Sequence, residues 1–312
     1  MFESIDEVEK KLAQHDYISD RTLATSIFLA TKMQKPLLLE GEPGVGKTEV
    51  AKVIAELLDT ELIRLQCYEG LDTQTALYEW NYPRQMLELR LQEARGDEKQ
   101  DIGKNIFSED FLLKRPLLCA IQSGSEVPPV LLIDEIDRSD EEFEAFLLEV
   151  LSDFQITVPE LGTISGKKPP IVIMTSNRTR DLHEALKRRC LFHWIDYPAV
   201  AREIQIILTK VPGIEMELAS QLANFMKLVR EMDLYKLPGV AETLDWASAL
   251  LALNISELDR DTVQQTLGCI LKYKADSEKL PASEIDVLIN QSDILASSTS
   301  ENGNLMLGEW ND

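Results

Sequence analysis

Five short apolar-rich runs stand out along the chain: PLLLE (36–40), ELIRLQ (61–66), PVLLIDE (129–135), PIVIMTSN (170–177) and LFHWID (191–196). Continuous rather than alternating hydrophobicity predicts strands buried on both faces. Between the runs, apolar residues recur every three or four positions, which predicts helices and so a parallel α/β sheet. Two amphipathic helices open the chain. The first begins at SIDE, where Ser4 and Glu7 have capping-box spacing, and the second carries Leu23, Ile27 and Ala30 on one face. After the third run, Ser139 and Glu142 predict another capping box, followed by Phe143, Phe146, Leu147, Val150, Leu151 and Phe154 at helical intervals.

No strand-like run follows Pro198. REIQIILTKV, ELASQLANFMKLVREM, TLDWASALLAL and DTVQQTLGCILKY read as helices separated by VPG and LPG turns, which predicts a small all-helical second domain. From about Ala275 the pattern weakens into Ser, Asn, Asp and Glu. A largely mobile acidic and polar tail is expected over 276–312, with EIDVLINQSDIL able to form one further short helix.

The formal net charge of -22 over 312 residues disfavours a role in coating nucleic acid, since phosphate binding draws on Lys and Arg. No stretch approaches the roughly 18 uninterrupted apolar residues of a membrane helix, and the acidic start MFESIDEVEKK is unlike a signal peptide, so a cytoplasmic location without membrane contact is expected. Cys67, Cys119, Cys190 and Cys269 lie far apart without a C-x-x-C pair, and read as free thiols. His15, His183 and His193 have no partners at metal-ligand spacing and read as surface or core residues.

GEPGVGKT, between the first strand and a helical segment, satisfies G-x-x-x-x-G-K-[ST] in the strand-loop-helix setting that its chemistry requires. Gly41, Glu42, Pro43, Gly44, Val45, Gly46, Lys47 and Thr48, with Glu49 next, offer consecutive backbone N–H groups and a helix N-terminus to a phosphate. Lys47 would reach the β- and γ-phosphates of ATP, and the Thr48 hydroxyl would ligate magnesium. A carboxylate at a neighbouring strand end is the second requirement, and VLLIDE supplies two: Asp134 to hold the metal through a water and Glu135 to orient and polarise an attacking water. Asp140 and Glu141 read as a solvated acidic face. Asn177, ending the fourth run, can position that water.

These elements in this order, followed by the adjacent Arg188 and Arg189 and a helical domain, resemble the AAA+ ATPases over about Asp16 to Tyr273. Within that superfamily the chain is similar to the MoxR group and its CoxD-like branch, on RLQCYEGLDTQTALYEWNYPRQML, LLIDEIDRSDEEFEAFLLEVLSDFQITVPELG, TSNRTRDLHEALKRRCLFHWIDYP and PGVAETLDWA. The resemblance implies a parallel five-stranded P-loop sheet flanked by helices (1–197), then a helical lid (198–275). It also implies a helix 2 insert within about 67–129 and a pre-sensor hairpin at about 154–166.

It further implies Lys47 and Thr48 of Walker A, Asp134 and Glu135 of Walker B, Asn177 as sensor 1, and Arg189 as an arginine finger completing a neighbour's site in a homo-oligomeric ring, a hexamer by expectation. Arg188 is then a nearby cation without an assigned task. Tyr17 or Ile18 is expected against adenine. Thr243 stands where a sensor 2 arginine is common, a departure that leaves lid sensing open. The partners implied are a von Willebrand factor A domain protein and a client enzyme, with maturation of a molybdenum-containing enzyme the associated task. A nucleotide-dependent switch with little turnover and a DNA-dependent AAA+ protein are the alternatives. In the long 67–129 segment, Tyr68, Tyr78, Trp80 and Tyr82 could grip a partner if exposed or pack if buried.

Overall fold

The computed structural model describes residues 2–95 and 106–303. All five apolar runs form strands: β1 (Leu37–Gly41), β2 (Leu62–Gln66), β5 (Val130–Asp134), β8 (Ile171–Ser176) and β9 (Leu191–Ile195). They pair in parallel in the order β2-β5-β8-β1-β9. Every residue of β1, β5 and β8 is buried, as strands covered on both faces must be, while β2 at one edge alternates. The order puts the C-terminal ends of β1, β5 and β8 side by side, where the candidate chemistry begins.

The chain divides into two compact units. One comprises Met1–His15, Ser19–Gly41 and Lys47–Ile195; the other comprises Asp16–Ile18, Glu42–Gly46 and Asp196–Asp312. In the first, Leu38, Leu65, Leu131, Ile133, Val172 and Met174 of the sheet share a core with Phe143, Leu147 and Leu151 of the helix Glu141–Asp153. That helix is capped differently from expectation: Asp140, not Ser139, is the N-cap and accepts the Phe143 N–H at 2.8 Å. Ser139 instead donates to the Ile136 carbonyl at 2.8 Å. Ser139 and Asp140, adjacent residues that can both cap, let the cap shift by one position without loss of a side-chain acceptor.

Within 67–129 the structure adds a short antiparallel pair, β3 (Tyr78–Trp80) with β4 (Leu112–Lys114), and the helix Tyr82–Arg95. The charged stretch MLELRLQEARGDEKQ lies partly outside the described residues, from 96 onwards. The four aromatic residues divide between the two alternatives. Trp80 is buried edge-to-face with Phe107 at 5.3 Å and Tyr78 at 6.1 Å, whereas Tyr68 and Tyr82 are exposed. A hairpin, β6 (Gln155–Val158) with β7 (Gly162–Ser165), occupies the 154–166 stretch.

The second unit is helical and has its own core around Trp246, which is fully buried, lies 5.3 Å from Phe225 and donates its indole N–H to Thr266 at 2.8 Å. The stretch expected as a mobile tail from 276 holds two helices among the described residues. Helices span Lys274–Glu278 and Ala282–Gly303, and Leu280, Ile285 and Leu288 enter the core. Ser292, also buried, continues the same face one turn on. Gln221 donates to Asp293 at 2.8 Å, tying this helix to the helix Met216–Arg230. The expected short helix at EIDVLINQSDIL lies within Ala282–Gly303; polar composition hid the helix's full length, because a stripe of one apolar residue in every three or four suffices when a neighbouring helix covers it. Residues 304–312 of the expected tail lie outside the described residues.

Ile285→Ala is therefore expected to lower unfolding stability by about 2 to 5 kcal/mol, read in denaturant melts. A loose tail would leave the midpoint where it is.

Candidate functional site

Asp134 closes β5 and is 2 % exposed, so its charge has to be met by hydrogen bonds. Its Oδ1 accepts the hydroxyls of Thr48 at 2.9 Å and Thr175 at 2.6 Å. Its Oδ2 accepts two N–H groups of Arg64, Nε at 3.0 Å and Nη2. Thr175, on the neighbouring β8, also accepts the Glu135 backbone N–H at 2.9 Å, so one buried hydroxyl fixes both acidic residues. Glu135 has φ +55°, a left-handed conformation unusual for a residue with a side chain, and turns the chain abruptly off the strand.

Its carboxylate takes the Gln66 amide at 2.9 Å and Arg138 at 3.2 Å on one oxygen, and the Asn177 amide at 3.4 Å on the other. Asn177 is held through its backbone. Asp137, 2 % exposed, accepts the N–H of Asn177 at 3.2 Å and both the N–H and hydroxyl of Thr179 at 2.9 and 2.7 Å. Lys47, buried at the start of the helix Lys47–Leu57, donates Nζ to the Gly41 carbonyl at 2.8 Å. Lys47, Thr48, Asp134, Glu135 and Asn177 thus gather at the ends of three adjacent strands. Glu49 stands apart and pairs with Lys52 at 2.9 Å.

Glu42–Gly46 packs within the helical unit. Gly44 and Gly46 have φ +80° and +94°, which a side chain would strain. A Cβ on Gly44 would lie 3.0 Å from a Glu242 oxygen and 3.3 Å from the Gly239 Cα, so the loop and the start of the helix Val240–Ala252 touch backbone to backbone. The Gly44 carbonyl accepts the Ala241 N–H at 3.1 Å. Glu42 and Pro43 are exposed and Val45 is buried. Tyr17 comes near the same loop, its hydroxyl 3.9 Å from where Gly46 would carry a Cβ, and Ile18 is half-buried beside it in sequence.

A cation does stand at Thr243. Arg230 forms a buried bidentate pair with Glu203 at 2.7 Å for both contacts, and the fully buried Thr243 hydroxyl lies 3.0 Å from Arg230 and 2.8 Å from Glu203. The guanidinium also stacks 4.7 Å from the Tyr197 ring centre. Burial, with the Glu42 charge as a lesser cause, pushes the Tyr197 phenol up to about 12.

Arg188 and Arg189 end the helix Glu184–Arg189, and both are exposed. Arg189 donates to the Leu148 carbonyl, and neither arginine has an ion pair among the described residues. Of the histidines, His183 caps that helix, His15 meets Glu56 at 3.4 Å and His193 meets Ser26 at 3.3 Å. Burial pushes the thiols of Cys67 and Cys190 up to about 12, which keeps them protonated and unreactive at neutral pH.

Sequence reasoning overlooked Arg64, Gln66, Thr175, Asp137 and Arg230. For two of them a signal was present: in LIRLQ the polar residues alternate with Ile63 and Leu65, so Arg64 and Gln66 share one face of the strand beside the acidic one.

Residues 36–190 match the family model described as an AAA domain of the dynein-related subfamily. Uncharacterized proteins of Staphylococcus aureus strains RF122 and USA300 are each 28% identical over 191 residues, which is 59% of this chain and 64% of theirs. The match spans less than two thirds of the length of those curated relatives. Among solved structures, a point mutant of Thermotoga maritima RuvB aligns with TM-score 0.47 and 20% identity over 88% of this chain and 73% of that one. The RuvB Holliday junction branch migration motor from the same organism aligns at 0.45 and 20%, over 84% and 68%. The fold class rests on the strand order and the family match. No helix among the described residues is long and apolar enough to cross a membrane.

Asp137→Ala is expected to free the Asn177 loop, costing about 1 to 3 kcal/mol for the orphaned partners. Amide hydrogen exchange at Asn177 and Thr179 should accelerate while β5 stays protected; equal protection in both forms would show that Asp137 does not hold the loop.

Proposed function

We propose that this protein is a magnesium-dependent ATPase of the AAA+ class. The observation that carries the proposal is the 2.9 Å contact between the Thr48 hydroxyl and the buried Asp134 carboxylate, with Glu135 and Asn177 paired beside it. Two hard oxygen donors converging next to Lys47 suit a divalent cation, with Thr48 and Asp134 as its holders. When bound, the cation would neutralise charge on the β- and γ-phosphates. Lys47 would turn from the Gly41 carbonyl to the phosphates, and the glycine-rich loop Gly41–Gly46 would supply backbone N–H groups. Glu135 would draw the proton from the attacking water, and Asn177 would hold that water in line.

The finer identity follows the resemblance to the MoxR group and its CoxD-like branch. On that basis the protein forms a homo-oligomeric ring, works with a von Willebrand factor A domain protein and remodels a client enzyme, such as a molybdenum-containing one, from the cytoplasm. The outward-facing Arg189 supports action in trans, since no carboxylate of its own chain claims it among the described residues. Tyr17, at the loop beside Gly46, is the better of the two adenine contacts.

Glu135→Gln should keep ATP binding and lower steady-state hydrolysis by about 10² to 10⁴. Turnover equal to the parent protein would remove Glu135 from the mechanism. Arg189→Ala should bind ATP yet hydrolyse it about 10³-fold more slowly, and mixing with Lys47→Ala subunits should restore part of the rate at mixed interfaces. Full activity of Arg189→Ala alone would reduce that residue to a local contact.

A further inference from the structure

Arg64 holds the acceptor that the proposed site most needs. Two of its N–H contacts go to Oδ2 of Asp134, while Thr48 and Thr175 share Oδ1. Every oxygen of that carboxylate is therefore engaged by this chain's own groups. A guanidinium on Oδ2 and a divalent cation there exclude each other, because both need the same lone pairs and both are positive.

Exposure makes the contact exchangeable. The Arg64 side chain is 52% exposed, against 3% for Asp134, so the arginine can swing into water at little desolvation cost while the carboxylate stays put. Gln66 sets the resting position: its Oε1 accepts a guanidinium N–H at 2.6 Å, which leaves its Nε2 for Glu135 at 2.9 Å. Among the described residues no other guanidinium or ammonium reaches Asp134. Arg138, the other cation of this cluster, is committed to Glu135 at 3.2 Å.

We propose that Arg64 is a built-in competitor of the divalent cation at Asp134, a positioning residue that neutralises the empty carboxylate and sets the metal concentration at which the site assembles. The proposal rests on the assignment of Thr48 and Asp134 as the metal-holding pair. Linkage makes the antagonism reciprocal: whatever favours the Arg64 contact weakens the metal, and the metal releases Arg64.

The test uses the full chain with a non-hydrolysable fluorescent ATP analogue, and Mn²⁺ as the probe followed by electron paramagnetic resonance. Arg64→Gln should bind Mn²⁺ on the order of five- to tenfold more tightly than the parent, the range expected for removing a charge-assisted competitor. Its affinity for the analogue in EDTA should stay within about twofold, because Arg64 meets Asp134 and Gln66 rather than the phosphate loop. Arg64→Lys keeps one cationic donor and the apolar stem, and should gain about two- to threefold; it carries the test if the Gln form does not fold. Unchanged or weaker Mn²⁺ binding in a folded variant, with the analogue still bound in EDTA, overturns the proposal alone. Failure of the parent protein to bind the analogue with or without metal overturns the nucleotide-site assignment, and the proposal with it.

Discussion

One buried negative charge organises this protein. Asp134 ends a strand whose five residues are all buried, and a carboxylate in that position is tolerable only if the neighbouring elements meet it. They do so from three sides: a helix start provides Thr48, the strand β8 provides Thr175 and the edge strand β2 provides Arg64. The parallel order β2-β5-β8-β1-β9 is what makes those three elements neighbours of one strand end. An acidic cluster that would repel itself in isolation becomes a fixed constellation, with Glu135 turned aside by its left-handed backbone and Asp137 committed to the loop after β8.

Most of the fold was legible in the order of the sequence. Five apolar-rich runs named the five strands of the parallel sheet, most plainly the central β1, β5 and β8, which are covered on both faces and so have no polar alternation to hide them. Legibility failed where burial is one-sided. In Ala282–Gly303 the apolar positions Ile285 and Leu288 give way to Ser292 on the same face, so EIDVLINQSDIL was legible only as a short helix, and the neighbouring helix explains why that face is folded. The shift of a helix cap from Ser139 to Asp140 has a similar origin, because adjacent residues with interchangeable acceptors do not reveal which one the chain uses.

The site was legible as a list of parts and less so as a network. Lys47, Thr48, Asp134, Glu135 and Asn177 were all indicated by motif and position; Thr48 meets Asp134 and Asn177 meets Glu135 side chain to side chain, while Lys47 rests on the Gly41 carbonyl. What the motifs omit is the set of residues that hold them: Thr175 between two acids, Asp137 under Asn177, Arg64 and Gln66 on the edge strand. Such partners follow from strand adjacency, which a linear motif does not encode. The Arg230 pair with Glu203 beside Thr243 is a second example, joining residues 27 positions apart through two helices of the helical unit.

The grouping of Glu42–Gly46 with the helical unit has a consequence for how separable the two units are. Their boundary is crossed by the backbone at residues 15–16, 18–19, 41–42, 46–47 and 195–196, not once. No single cut yields both units intact, because excising 196–303 would leave Gly239 and Ala241 without Pro43 and Gly44 beneath them. Recombination could not graft this helical unit onto another sheet without also importing Asp16–Ile18 and the phosphate-loop residues Glu42–Gly46. The two units are therefore expected to be inherited together, as one evolutionary piece.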